Sequence, residues 1–531
     1  MDHGEKERAI ANSIKDIVKQ TSRRKASSQL SKKPRPIVTI APKSLNDPVE
    51  SSSSSSESNR PQGPNPPSDH GSSQQDDGVN MLQDGSADSL SPERHDHHPM
   101  TGAIFSVSAD ESILLMHFLD NVFPLQYPMY KPGTLDGGRG WLLTLLLRTK
   151  PLYHATLAVS AYYRRMTILA ENHQSSPVAG LIEQEKHLGI CLTEFQRILK
   201  SVDQSVRKGY CPSNGLGITA LVVQLIFFEL FTGRGNAWQI HLCAGVNMYH
   251  VAHETKLASL TLAEKSRVIL CDELPLSEDV PLVAEEVAAF RFLNGTIIWI
   301  DIISSITVGR APQLLPYHLL VISSDSQTKL EDIMGCKNWV MRQIGRISAL
   351  QERKTQALQQ GHFAYAEIEQ TVADINREIQ CALTQGSLEG FSFSERDSAT
   401  ILSWTSDPTT IVTYIFAYMA SIYLHLVTHD YQKLQVLDTS ISGAMRVLKT
   451  QVPTQLLPTL VSPLYVIGSV ARQEDEQFFR NIFSSPPVLD PLLQHRARIL
   501  PILEEIWRRR RGTPSFTWKD ALELSPDLLL L

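Results

Sequence analysis

Residues 1–104 contain no phenylalanine, tryptophan or tyrosine, and every aromatic residue of this 531-residue chain lies from Phe105 onward. The same stretch is rich in serine, proline and charge, with six consecutive serines at 51–56. A segment with so few large apolar groups buries too little surface to offset the entropy of ordering it. We therefore predict a disordered N-terminal arm, followed by one large folded body at 105–531.

Closely spaced cysteine pairs are also missing. Zinc sites usually draw on Cys-x-x-Cys pairs, because a short loop must wrap the metal. The charged N-terminus predicts no signal peptide, and so long and cysteine-poor a chain argues against a secreted disulfide framework. We predict mostly buried free thiols, no metal site and no cofactor in the body. The six cysteines are Cys191, Cys211, Cys243, Cys271, Cys336 and Cys381.

Catalytic motifs are scarce. No Gly-x-Ser-x-Gly elbow and no Gly-Lys-Ser/Thr phosphate loop occurs in the body. The sequence HVAHE at 250–254 differs from a zincin motif, because its histidines are three apart and the glutamate follows the second one. His95, His97 and His98 offer imidazoles for adventitious metal binding, but they fall in the predicted disordered segment. We therefore predict no catalytic residues and no enzyme activity.

Strand signals are nearly absent, whereas apolar residues recur at three- and four-residue spacing, which predicts an all-α body. Ser108 to Glu111 forms a capping-box pattern. It predicts a helix with one face made by Ile113, Met116, Leu119, Val122 and Phe123, which is ended by Pro124 and the Tyr127-Pro128 pair. Whether the body is one extended helical array or two abutting subdomains stays open at this point. Further helices are predicted at 141–148, from 151, and at 181–202, 216–231, 236–255, 283–308, 329–358, 362–384, 408–428 and 433–449.

Two long apolar runs raise the question of a membrane span. Residues 411–427 carry no formal charge, but seventeen residues fall short of the roughly 20 that a spanning helix needs. Residues 218–231 form a shorter run that includes Gln224 and Glu229. We predict that both are helices buried in the protein core, and we predict no membrane partner.

Charge divides the N-terminal segment in two. Residues 1–45 are basic, with a net charge of +7, and residues 46–100 are acidic, with a net charge of −8. Short basic clusters in a mobile arm suit a nuclear-import receptor or the phosphates of nucleic acid. The alternative is a solvated tail that binds nothing in particular. The predicted import or phosphate-binding residues are Arg23, Arg24, Lys25, Lys32, Lys33 and Arg35.

Eight short stretches of the body, in order along the chain, carry a resemblance to a known family. The body resembles the regulatory region of fungal zinc-cluster transcription factors, in particular the second family of fungal-specific transcription factor domains. The stretches are LLMHFLDNVFPLQY at 114–127, GRGWLL at 138–143, PLYHATLA at 151–158, QLIFFEL at 224–230, WQIHL at 238–242, IWIDI at 298–302, TVGRAP at 307–312 and GCKNW at 335–339.

The resemblance implies a large, irregular all-helical regulatory body, a nuclear location and a role in controlling transcription. Such relatives usually carry six clustered cysteines that bind two zinc ions and place a helix in the DNA major groove. This chain lacks that cluster, although IKDIVKQTSRRK at 14–25 looks like the segment that follows it in relatives. Either the sequence starts too late, and zinc belongs to an upstream cluster, or the chain is a regulator without its own DNA reader.

The sequence thus predicts three regions: a basic arm at 1–45, an acidic linker at 46–104 and a regulatory body at 105–531. The implied partners are an import receptor, transcription co-regulators, promoter DNA directly or through a partner, and a second copy of the chain. One alternative is a helical co-regulator that does not itself bind DNA, and another is an unrecognised helical enzyme or ligand sensor. We predict that Trp141, Trp238, Trp299 and Trp339 are core residues. The arginines at 508–511 fit a helix end, with an import or phosphate patch as the alternative.

Overall fold

The computed structural model describes ten ranges of the body. They are 108–133, 138–170, 177–207, 215–233, 237–259, 284–323, 326–360, 365–389, 407–490 and 493–531. The predicted arm and linker lie outside the described residues, and their boundaries stay predictions. Within the described ranges the chain is helical and contains no β-strand, which confirms the all-α prediction.

The first half of the body consists of long helices that pack as neighbours in sequence. A short π-helix, Phe118–Val122, joins α1 to α2 without a break. Helices α4 and α5 pack along each other, and so do α6 and α7. The helices are α1 (Ala109–His117), α2 (Phe123–Gln126), α3 (Gly140–Arg148), α4 (Lys150–Ala170), α5 (Pro177–Arg207), α6 (Gly215–Thr232), α7 (Ala237–Ser259) and α8 (Ala284–Val308).

The second half surrounds one almost completely buried helix, α13, which packs against α11, α12, α14 and α15. Short 3₁₀ turns precede several helices, at Leu315–Tyr317, Leu434–Leu437, Thr454–Leu460 and Gln494–Arg498. The helices are α9 (His318–Val321), α10 (Glu331–Met334), α11 (Asn338–Gln360), α12 (Tyr365–Glu389), α13 (Pro408–His429), α14 (Asp438–Thr450), α15 (Val461–Ser469), α16 (Glu476–Phe483), α17 (Ile499–Gly512) and α18 (Trp518–Glu523).

The predicted capping box at Ser108 and the predicted helix end at Tyr127-Pro128 are present, but the start of the predicted face and the break at Pro124 are wrong. Ile113 and Met116 are more than half exposed, and the buried stripe starts at Leu114, Leu115 and Phe118 instead. The later part of the predicted face, at 122–123, is buried as predicted. The π-helix inserts a wider turn, so a count at 3.6 residues per turn loses register along this segment.

Pro124 does not end the helix, because a side chain replaces the hydrogen bond that proline cannot make. In the π register the N–H of Phe123 donates to the carbonyl oxygen of Phe118, five residues earlier. The next position is Pro124, which has no N–H for the carbonyl oxygen of Leu119. Arg139 Nη1 donates to that oxygen at 2.6 Å. The helix therefore continues to Gln126.

The single helix predicted at 329–358 is two helices, α10 and α11. Gly335 between them has a φ of +84°, a left-handed conformation that favours glycine. Asn338 fixes the turn: its Oδ1 accepts from the Leu330 N–H at 2.9 Å, and its Nδ2 donates to the carbonyl oxygen of Thr328 at 2.8 Å.

Three helices are long and apolar enough to cross a membrane by length and composition alone: α6, residues 286–308 of α8, and α13. In each of these helices, 78% of the apolar 18-residue stretch is buried inside the protein. Their apolar side chains contribute to one contiguous hydrophobic cluster that includes members of nearly every described helix. Packing against other helices accounts for their composition, and a single cluster favours one helical array over two subdomains.

Candidate functional site

All six basic residues predicted for import or phosphate binding, Arg23 to Arg35, lie outside the described residues. Within the described residues, the candidate features are the sequence motifs, the arginine run at 508–511 and a cleft between helices.

The stretches that carry the family resemblance join distant segments of the body. The carboxylate of Asp301, in the IWIDI stretch, accepts from the backbone N–H groups of Gln313 and Leu314 at 3.1 and 2.8 Å. It thereby fixes the turn that follows TVGRAP. Burial raises the pKa of Asp301 to about 6, although these two hydrogen bonds oppose the shift. The stretch therefore has a structural role at the end of α8.

The predicted core tryptophans are buried, apart from Trp339, which is half-buried. The indole N–H of Trp238 donates to the carbonyl oxygen of Asp527 at 2.9 Å, and that of Trp141 donates to the Tyr130 hydroxyl at 2.9 Å. Trp238 thus attaches the C-terminal segment to α7. These contacts make the tryptophans part of the packing of the body.

The four-arginine run at the end of α17 is occupied by partners within the body. Arg508 and Arg509 both bond the carboxylate of Glu505 at 2.7 Å. Arg510 Nη1 donates to the carbonyl oxygen of Ser469 at 2.7 Å, and Arg511 pairs with Glu476. The run therefore binds acidic side chains and the end of a neighbouring helix, which favours the helix-end interpretation over a free phosphate patch.

Arg510 and Arg511 also line a cleft of about 290 Å³, which we name the C-terminal cleft. Its volume is just below the range of typical small-molecule sites, roughly 300–1,000 Å³. The walls come from the segment after α13, the segment after α15, the start of α16 and the end of α17. The lining residues are Tyr431, Gln432, Leu434, Ala471, Arg472, Gln473, Glu476, Trp507, Arg510, Arg511, Thr513, Pro514 and Phe516.

Aromatic rings form one side of the C-terminal cleft. Tyr431 and Phe516 are stacked, with ring centroids 5.3 Å apart and an interplanar angle of 14°. The guanidinium of Arg510 lies over the Tyr431 ring at 5.3 Å, and that of Arg480 lies over the Trp507 ring at 5.0 Å. These cation–π contacts hold flat, rigid surfaces in place at the cleft.

Charge is distributed unevenly over the cleft. Glu476 is buried and is paired with Arg480 at 3.1 Å as well as with Arg511. Arg472 is more exposed, and its ion pair with Asp438 at 2.7 Å faces solvent. An exposed ion pair contributes little net stability, so this guanidinium can exchange its partner at low cost. The exposed guanidinium suits a small molecule that carries an acidic group.

No sequence pattern indicates the C-terminal cleft, because its walls come from four separate segments. A second group was also missed: Glu111, His154 and His187 offer ligand atoms within 4.8 Å of one another. Burial lowers the pKa of His154 and, with the neighbouring imidazole, lowers that of His187 to about 4.

The zincin-like histidine and the described cysteines have ordinary structural surroundings. His250, of the zincin-like sequence, bonds the Tyr317 hydroxyl at 3.0 Å. Cys191 and Cys336 are buried, Cys243 is half-buried and Cys381 is exposed, so burial holds for two of the four described thiols. Among the described residues no cysteine belongs to a group that could hold a metal, so these thiols do not fit a zinc cluster. His95, His97, His98, Cys211 and Cys271 lie outside the described residues.

Comparison with known proteins gives one family and a set of named regulators. The profile described as "Fungal specific transcription factor domain" matches residues 113–531. The chain is 42% identical over its full length to the pestheic acid cluster transcriptional regulator 3 of Pestalotiopsis fici, of which it covers 91%. No solved structure matches the chain.

More distant relatives carry similar names. A trichothecene biosynthesis transcription regulator of Trichoderma arundinaceum is 27% identical over 79% of this chain and 98% of its own length. The ustiloxin B cluster transcription factor of Aspergillus flavus is 24% identical over 77% of this chain and 70% of its own length. With the family profile spanning nearly the whole described body, the chain belongs to the fungal-specific transcription factor domain family and has a role in transcription regulation.

Proposed function

We propose that this chain controls the transcription of a set of neighbouring genes that make a secondary metabolite. The observation that carries the proposal is the full-length similarity to a regulator named for a metabolite cluster. The described motif residues are consistent with a regulatory body, because Asp301, Trp238 and Trp141 tie separate segments together. In this proposal the helical body is the regulatory and protein-interaction unit.

Deletion of the gene in its native fungus, followed by transcript sequencing, tests the proposal. The expected result is a large change in the transcripts of one contiguous group of biosynthetic genes, restored when the gene is returned. An unchanged transcriptome under conditions in which the chain is produced contradicts it.

The basic arm is proposed to bring the chain into the nucleus. Lysine and arginine clusters suit the acidic grooves of import receptors, and the arginine run at 508–511, which is engaged within the body, does not offer the same free charge. Replacement of Arg23, Arg24, Lys25, Lys32, Lys33 and Arg35 by alanine should abolish nuclear accumulation of a fluorescent fusion. The matched control is Arg508→Ala with Arg509→Ala, which should leave accumulation unchanged. Nuclear accumulation of the arm variant contradicts this assignment.

Promoter binding, directly or through a partner protein, is proposed as the step that selects the genes. Chromatin immunoprecipitation with a tagged chain checks it, and the expected result is enrichment at promoters of the affected genes. Purified chain that fails to bind the same promoters in low salt, where phosphate contacts are strongest, assigns the DNA contact to a partner.

Ligand sensing is a second candidate function, favoured by the C-terminal cleft. Its exposed Arg472 suits a small organic acid. Native mass spectrometry of the chain purified from its fungus should show a bound small acid in equimolar amount. Arg472→Gln should lose this molecule, whereas Arg508→Gln, outside the cleft, should retain it. A ligand-free wild-type chain contradicts ligand sensing and leaves the transcriptional proposal standing.

A further inference from the structure

Glu111, His154 and His187 come from three different helices and converge at one point in the first half of the body. Glu111 lies in the first turn of α1, His154 lies near the start of α4, and His187 lies in α5. Their ligand atoms all lie within 4.8 Å of one another. His154 lies 43 residues after Glu111 and 33 residues before His187, so the packing of α4 against α1 and α5 brings the three together.

The two imidazoles face each other through their Nδ1 atoms, which are 3.1 Å apart. Both side chains are buried, with exposed fractions of 6% for His154 and 1% for His187, and the rings are nearly parallel at an angle of 19°. Tetrahedral zinc with Zn–N bonds of about 2.0–2.1 Å holds neighbouring nitrogens about 3.3 Å apart. The observed Nδ1–Nδ1 distance of 3.1 Å is close to the distance between two nitrogens bound to one tetrahedral zinc ion.

The third group supplies an oxygen ligand. One carboxylate oxygen of Glu111 accepts the Ser108 N–H in the capping box at 3.4 Å, and a carboxylate has lone pairs for further contacts. Nearby Lys150 is paired with Glu194 at 2.8 Å, so its charge is compensated close to the imidazoles. Two imidazoles and one carboxylate, with water as the fourth ligand, are a donor set that zinc prefers.

We propose that Glu111, His154 and His187 form a zinc-binding site that links α1, α4 and α5. The site is distinct from the cysteine cluster of zinc-cluster regulators, and it rests on geometry alone, independently of the proposed function. Without metal, one Nδ1–H donates to the other Nδ1. On binding, the donor ring loses its Nδ1 proton and gains one at Nε2, so the net charge of the pair is unchanged.

Zinc binding by the full chain tests the proposal. The background carries His95→Asn, His97→Asn and His98→Asn, which removes the closely spaced imidazoles at 95–98 of the N-terminal segment. Calorimetric titration of chelator-treated protein with Zn²⁺ at pH 7 should show one ion per chain. Binding should also raise the thermal midpoint, because the ion binds the folded state only.

Matched variants assign the ligands. His154→Gln and His187→Gln should each weaken zinc binding by at least about 100-fold, and Glu111→Gln should weaken it by about tenfold or more. His318→Gln, which removes another buried imidazole far from the cluster in sequence, should bind zinc as the background does. Unchanged zinc affinity in both histidine variants, or no zinc binding by the folded background protein, overturns the proposal.

A measurement on the background chain covers the case in which the variants fail to fold. Zinc X-ray absorption should show two imidazole ligands and only oxygen or nitrogen donors. A sulfur ligand would assign the metal to the cysteines and refute the site. Visible absorption of the Co²⁺-substituted background chain provides a second readout. The proposed four-ligand site should give the spectrum of tetrahedral Co²⁺, which differs strongly from that of octahedral Co²⁺.

Discussion

Two buried polar clusters of the body differ in how their hydrogen-bonding groups are used. The C-terminal cluster is Arg496 with its main-chain acceptors, and the N-terminal cluster is Glu111, His154 and His187. In the C-terminal cluster the guanidinium of Arg496 donates to the main-chain oxygens of Leu531, Val488 and Pro458, at 3.0, 3.4 and 3.2 Å. In the N-terminal cluster His154 and His187 contact each other beside a carboxylate. Burial of a polar group therefore does not by itself indicate function. A cluster whose donors all meet carbonyl oxygens is structural, whereas one that concentrates lone pairs suits a metal ion.

The largest expected effect comes from breaking the C-terminal cluster. Arg496→Met leaves three main-chain acceptors without their donor and should reduce the free energy of unfolding by roughly 3–5 kcal/mol. Arg496→Lys keeps the charge but not the planar fork, so most of that loss should remain. Arg508→Met removes an exposed arginine and should change stability little. Urea unfolding compares the three, and equal stabilities would show that the cluster is not structural.

A lone buried imidazole sharpens the comparison, because it separates burial from pairing. Neither ring nitrogen of His318 has a hydrogen-bond partner among the described residues, and burial lowers its pKa to about 4. Between pH 6.5 and 4 the unfolded chain binds a proton that the folded chain does not. Stability is therefore lost as pH falls through this window, by an amount on the order of 3 kcal/mol.

His318→Gln removes this group and should make the chain less sensitive to acid. The difference in unfolding free energy between pH 7 and pH 4.5 should be smaller in the variant than in the wild type, since all other titrating groups are shared. Urea unfolding at both pH values measures it. An equal or larger pH dependence in the variant would show that His318 is protonated in the folded chain.

The smallest expected effect concerns the cap beside the proposed metal ligands. Ser108→Ala removes the hydroxyl that accepts a hydrogen bond from the Glu111 N–H. It should lower the free energy of unfolding by about 1 kcal/mol. Zinc affinity should change far less than in His154→Gln, because the Glu111 carboxylate remains. Thermal unfolding with and without zinc separates the two roles of this helix end. A loss of zinc affinity equal to that of the histidine variant would mean that the cap holds the site together.

Sequence reasoning succeeded where the signal is local. The capping box at Ser108, the core position of Trp238 and the long apolar α13 could be predicted because side-chain periodicity and composition depend on neighbours in sequence. It failed at Pro124, where Arg139 supplies the missing donor from another segment. It failed again at Gly335, because a helix-like pattern continues across a turn that Asn338 stabilises.

By itself the sequence determined the all-α class, the family and the separation of a polar arm from an apolar body, since these follow from composition, periodicity and motif order. Only the tertiary structure decided which polar groups meet. The C-terminal cleft and the Glu111–His154–His187 cluster both assemble from helices far apart in the chain. Their geometry is set by helix packing, which depends on interlocking side-chain shapes across the whole core and leaves no local pattern in sequence.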